Sequence, residues 1–138
     1  MKSTLTVLGA TAVTLIVAGP LFAADFCLSF SGTQIVCKAF RIPGHGKCKP
    51  CYGFFNEPGD SRVDGTACTS DDNSRLVFNL TGTSRAVPPP LVTVDNILIN
   101  LPALTGSTYR TTMSNAPGNP VYGSTAAVTA SSCHVAVP

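Results

Sequence analysis

Three segments of the chain alternate apolar and polar residues with a period of two: Phe26, Leu28 and Phe30 in FCLSF, Leu76, Phe78 and Leu80 in SRLVFNLT, and Ile97, Ile99 and Leu101 in NILINL. Successive side chains of a β-strand leave on opposite faces, so this pattern describes half-buried strands. A helix facing a core would need an apolar stripe every three to four residues, and past the first two dozen residues no stretch has one. Turn-forming clusters punctuate the pattern at Ser31-Gly32-Thr33, Pro43-Gly44-His45-Gly46, Pro58-Gly59-Asp60, Asp71-Asp72-Asn73-Ser74, Thr105-Gly106-Ser107 and Ala116-Pro117-Gly118-Asn119-Pro120. Their spacing predicts an all-β fold: a small antiparallel β-sandwich of seven to eight strands, or a meandering β-barrel, cross-linked by disulfides. The run Pro88-Pro89-Pro90 is stiff and cannot donate to a ladder. It reads as a crossing between sheets or a longer loop, and it tilts the expectation toward the sandwich.

The chain opens with Lys2, an apolar run from about Leu5 to Val17, the breaker Gly19-Pro20 and the small residues Ala23 and Ala24. That layout predicts a secretory signal peptide over 1–23 and a single all-β domain over 24–138. A transmembrane helix needs about 20 consecutive apolar residues, and Thr11, Thr14 and the Gly-Pro pair interrupt this run. The first cysteine, Cys27, lies past Asp25 and Phe26, so the leader does not fit a lipoprotein. A secreted or periplasmic domain follows as the expectation, with no stable membrane anchor after cleavage.

Nine Lys and Arg stand against seven Asp and Glu, and with Lys2 in the leader the remainder carries a net charge of only +1. Bulk charge therefore proposes no nucleic-acid partner. The charges are nevertheless segregated. Lys38, Arg41, Lys47 and Lys49 occupy a stretch with no acid between Phe26 and Asn56, and Glu57, Asp60, Asp64, Asp71 and Asp72 follow. The two blocks either pair across adjacent strands or leave a basic patch for a protein or anionic ligand.

Six cysteines form an even set, and in an exported domain disulfides are their default state. Two strands joined by a turn centred at residue c place i opposite j where i + j is about 2c, which brings cross-strand cysteines within disulfide reach. Cys37 and Cys51 are symmetric about Gly44, and Cys48 and Cys68 about Pro58; Cys27 and Cys133 remain to staple the first strand to the last. Cys27 and Cys37 are also symmetric about Gly32, which gives a rival set among the 15 connectivities of six cysteines.

Cys48-Lys49-Pro50-Cys51 resembles the C-x-P-C segment of thioredoxin-like proteins, and CKPCYG resembles the knuckle of zinc-ribbon domains. The first resemblance implies an exposed low-pKa thiol at a helix N-terminus, but only YGFFNE separates Cys51 from Pro58-Gly59, too short for that helix. The second implies a tetrahedral zinc with a second cysteine pair, and here only Cys37, Cys68 and His45 are at hand. Residues 48 and 51 have opposite parity in a strand, so their side chains leave on opposite faces.

Gly59-Asp60-Ser61 is similar to the nucleophile block of GDSL hydrolases and trypsin-like proteases, but it continues Arg62-Val63 and meets neither family's later pattern. Ser61 would need His45 or His134 as its base. The sequence thus leans away from an enzyme and expects no cofactor or metal. It reads as a small exported, disulfide-stabilised β-domain that serves as a non-enzymatic binding or surface module. The alternative is an exported thiol-redox or zinc-binding protein using the CKPC segment.

Overall fold

The computed structural model describes residues 24–59, 61–86, 88–114, 116–118 and 121–136. The expected leader over 1–23 lies outside the described residues. Eight strands follow in order: β1 (Asp25–Phe30), β2 (Thr33–Cys37), β3 (Cys48–Phe55), β4 (Arg62–Thr69), β5 (Arg75–Ser84), β6 (Leu91–Asn100), β7 (Thr105–Ser114) and β8 (Tyr122–Cys133). Each pairs antiparallel with the next, and β8 returns to β1 to close a barrel. The fold is all-β and meandering, and the sandwich reading gives way. Pro88, Pro89 and Pro90 fall in the connection between two neighbours, β5 and β6, whose pairing runs unbroken from Arg75↔Asn100 to Ser84↔Leu91. Closure gives every strand two neighbours, although the β2–β3 ladder covers only Ile35–Cys37 and Gly53–Phe55.

The period-two pattern sorts residues between the barrel interior and its outer surface. Leu28, Ile35, Leu76, Phe78, Leu80, Ile97 and Ile99 are buried in one core, while Arg62, Asp64, Asn79 and Asn96 on the opposite parity are exposed. Apolar inside and polar outside is the reverse of a membrane-spanning barrel, which carries its apolar band outward. At one end the connection after β2 drops Phe40 into the barrel, 5.5 Å from the Phe26 ring centroid and 5.6 Å from that of Phe78. Leu101 and Leu104 pack against the same core. This end is closed; the other, where β3 meets β4 and β5 meets β6, forms a polar mouth.

Thr105-Gly106-Ser107, expected as a turn, begins β7 instead. The chain reverses over 101–104, where Leu104 N–H donates to the Asn100 carbonyl (2.9 Å) and Leu104 takes the left-handed conformation. Gly106 serves close strand approach, since a Cβ there would collide with the Leu98 carbonyl oxygen.

A second, smaller cluster of Cys27, Val36 and Phe54 lies on the outer face under Cys133 and Val135. Asp25 secures it. Its carboxylate accepts from Lys38 Nζ (2.6 Å), Ala39 N–H (3.1 Å) and Val135 N–H (3.4 Å), joining β1, the connection after β2 and the C-terminal tail. Burial raises the pKa of this carboxyl, but those three donors and the Lys38 charge outweigh it and hold it below the ordinary 3.8. A folded value below the unfolded one contributes stability that is full above 3.8 and is lost as pH falls through the folded value. Urea unfolding of the native protein and Asp25→Asn should therefore give midpoints that differ at neutral pH and converge in acid. Midpoints that stay parallel at every pH would show that the carboxylate charge contributes nothing.

Candidate functional site

The six cysteines close three bridges, Cys27–Cys133, Cys37–Cys51 and Cys48–Cys68. Register explains each. Cys48 stands directly opposite Cys68 across β3 and β4. Cys37 stands opposite Gly53, so it reaches Cys51 two residues along the same face, and Cys27, opposite Ser131, reaches Cys133 likewise. Within the CKPC segment Cys51 is buried inside the barrel while Cys48 is exposed. The two are not bonded to each other, and no free cysteine remains. A dithiol redox step needs a pair of cysteines that cycles between two states, and a zinc ribbon needs thiolates. CKPC supplies neither, so the redox or zinc alternative loses its ligands.

These bridges frame a groove of about 280 Å³ lined by Lys38, Ala39, Phe40, Arg41, Lys49, Pro50 and Tyr52. One wall follows Cys37 and the other spans Cys48 to Tyr52, so the Cys37–Cys51 bridge ties the walls together. Lys38 N–H also donates to the Tyr52 carbonyl across the gap (2.8 Å). The connection between β2 and β3 is pinned further along, where Thr69 Oγ1 donates to the Pro43 carbonyl (2.9 Å) and Thr69 N–H to that of Lys47 (3.0 Å). Gly46 is required here: its φ is +63°, and the Asp71 carboxylate occupies the position a Cβ would take.

Three of the four basic residues singled out in the sequence thus meet in one groove, whereas Lys47 lies in the adjoining turn and does not line it. Their roles differ. Lys38 is committed to Asp25 and to the Val135 carbonyl (3.1 Å). Arg41 and Lys49 are exposed, and among the described residues neither they nor Lys47 form a salt bridge. Among the described residues, then, no salt bridge joins Arg41, Lys47 or Lys49 to the acidic block. Glu57 is bound by serines at the barrel mouth and Asp72 by Ser70 and Ser74 in the turn after β4. Tyr52, 62% exposed, offers an aromatic face beside the free cations.

The barrel mouth holds a second constellation that sequence reasoning missed. Asp95 on β6 is fully buried opposite Arg110 on β7, which meets it with two parallel bonds, Nε to Oδ1 (2.7 Å) and Nη2 to Oδ2 (2.9 Å). The guanidinium lies 4.8 Å from the Phe30 ring centroid and 5.3 Å from that of Phe55, within cation–π range. Above this pair opens a cavity of about 200 Å³ lined by Thr33, Phe55, Glu57, Ser84, Ala86, Leu91, Thr93, Arg110 and Thr112. Glu57 Oε1 accepts from Ser61 Oγ and Ser84 Oγ, each at 2.6 Å, which links two mouth connections.

Ser61 is accordingly a buried mouth hydroxyl bonded to Glu57. His45 and His134, both exposed, lie on segments at the closed end, so neither histidine can act as its base. No family model matches the chain, and neither the curated proteins nor the solved structures compared with it give a match.

Proposed function

We propose that the chain is an exported, non-enzymatic binding module, secreted or periplasmic, that holds an acidic saccharide in the cation groove. The observation that carries this reading is the convergence of Arg41, Lys49 and Tyr52 on one groove with no acid among the described residues that line it. Guanidinium and ammonium groups recognise carboxylate or sulfate by charge-assisted hydrogen bonds. The exposed Tyr52 ring is a flat apolar surface with a polar tip, suited to the face of a sugar ring. Two disulfides fix the walls in advance, which lowers the entropy lost on binding. Three bridges in one small domain also belong to an oxidising compartment.

Calorimetric titration with a sulfated or uronate oligosaccharide, and with a neutral oligosaccharide of the same length, tests the reading. Only the acidic ligand should bind, more weakly as salt is added. Arg41→Glu and Lys49→Glu should each lower affinity by at least about tenfold, on the order of 1.4 kcal/mol. Cys37→Ala/Cys51→Ala should weaken binding without removing a charge. Equal affinity for the neutral ligand, or indifference to both charge reversals, would reject the groove as the binding surface.

A further inference from the structure

The mouth of the barrel is chemically unlike the groove, and it carries a separate inference. Two opposite charges, Glu57 and Arg110, line the same cavity, yet no salt bridge joins them. Each retains bonding capacity. A guanidinium has five N–H donors, and the two bonds to Asp95 leave three of them. Both serine bonds to Glu57 fall on Oε1, so among the described residues Oε2 is the oxygen left for an incoming donor. Thr33, Thr93 and Thr112 line the same space, and Phe55, Ala86 and Leu91 give it an apolar side.

The Arg110 end is held rigidly. Asp95 fixes the guanidinium from one side while the rings of Phe30 and Phe55 confine it. Phe55 is itself seated over Gly82, where a Cβ would run into the ring. Arg110 already balances the Asp95 charge, so it offers an incoming carboxylate three prepositioned N–H donors, while Glu57 offers an ammonium a carboxylate charge of its own. A small ligand with both groups fits the two ends. Drug-sized ligands occupy pockets of roughly 300–1,000 Å³, so a cavity of about 200 Å³ selects something smaller.

We propose that the barrel mouth binds a small zwitterion of the free amino-acid class, with its carboxylate on Arg110, its ammonium on Glu57 and its side chain against Phe55, Ala86 and Leu91. Such a ligand satisfies both poles and leaves the net charge of the mouth unchanged. This site is independent of the saccharide groove, which involves none of these residues.

The test is an NMR titration of isotope-labelled protein with L-leucine and L-serine, and with the two half-ligands of leucine, 3-methylbutan-1-amine and 4-methylpentanoate. Amide shifts should move at Thr33, Ser84, Thr93 and Thr112, and each half-ligand should bind at least tenfold more weakly than leucine. Glu57→Gln, which keeps an acceptor for the two serines, should weaken leucine binding at least tenfold while leaving the half-acid and the groove titration unaffected. Thr112→Val provides a second variant that leaves both charges in place, and it should lower affinity with the fold intact. Absence of mouth shifts at millimolar amino acid would overturn the proposal, as would equal affinity for a half-ligand or unchanged binding to Glu57→Gln.

Discussion

Cys27→Ala/Cys133→Ala should be the most destabilising of the three paired cysteine replacements, at about 4–5 kcal/mol. The bridge closes 106 residues, against 14 for Cys37–Cys51 and 20 for Cys48–Cys68. In the chain-entropy model a loop of ~100 residues constrains the unfolded chain by roughly 4.7 kcal/mol and one of ~15 residues by about 3. Local consequences add to this. Cys27 belongs to the outer cluster with Val36 and Phe54, and Cys133 and Val135 cover it. Releasing Cys133 frees the tail whose Val135 also engages Asp25 and Lys38. Alanine is the right replacement at the other buried pair, because Cys37 and Cys51 are almost wholly enclosed and serine would bury unpartnered hydroxyls there. Urea unfolding of the three double variants gives the ranking directly. If the terminal pair proves the cheapest to lose, the β1–β8 hydrogen bonds alone hold the barrel shut.

That closure is also the step the sequence conceals. β1, β5 and β6 announce themselves because alternation is a local property of six to ten residues. Whether eight such strands form a sandwich or a barrel depends on β1 meeting β8 across the whole domain, and no local pattern encodes that pairing. The groove was legible for the opposite reason: Lys38, Arg41 and Lys49 lie within twelve consecutive residues, between half-cystines that bring them together. The mouth was hidden by a misplaced turn. Asp95 and Arg110 are symmetric about the reversal at 101–104, the relation that singled out the cysteine pairs. A turn assigned to Thr105-Gly106-Ser107 places them out of register, so nothing in the sequence pattern brings this acid and this base together. Leu101-Pro102, just before the left-handed Leu104, is the sequence signal of the actual reversal.

Arg110→Met should destabilise the barrel by about 3–5 kcal/mol, because it leaves a buried carboxylate uncompensated. Asp95 is wholly enclosed, and among the described residues its oxygens are otherwise met only by Thr93 Oγ1, at a long 3.4 Å. The reverse change is milder. In Asp95→Asn the side chain of Arg110 remains partly exposed, at 16%, and keeps its two flanking rings. A double variant, Asp95→Leu/Arg110→Met, should recover most of the loss or exceed native stability, since well-packed apolar replacements of buried ion pairs are often neutral or stabilising by about 1–4 kcal/mol. Urea unfolding of the singles and the double completes the cycle. Its value lies in separating two reasons for the pair. If Asp95–Arg110 only plugs the mouth, the double variant loses nothing. If Arg110 is the fixed pole of a ligand site, the double variant folds as well as the native chain but no longer responds to free amino acids. A double variant that still binds leucine with native affinity would assign the pair to stability alone.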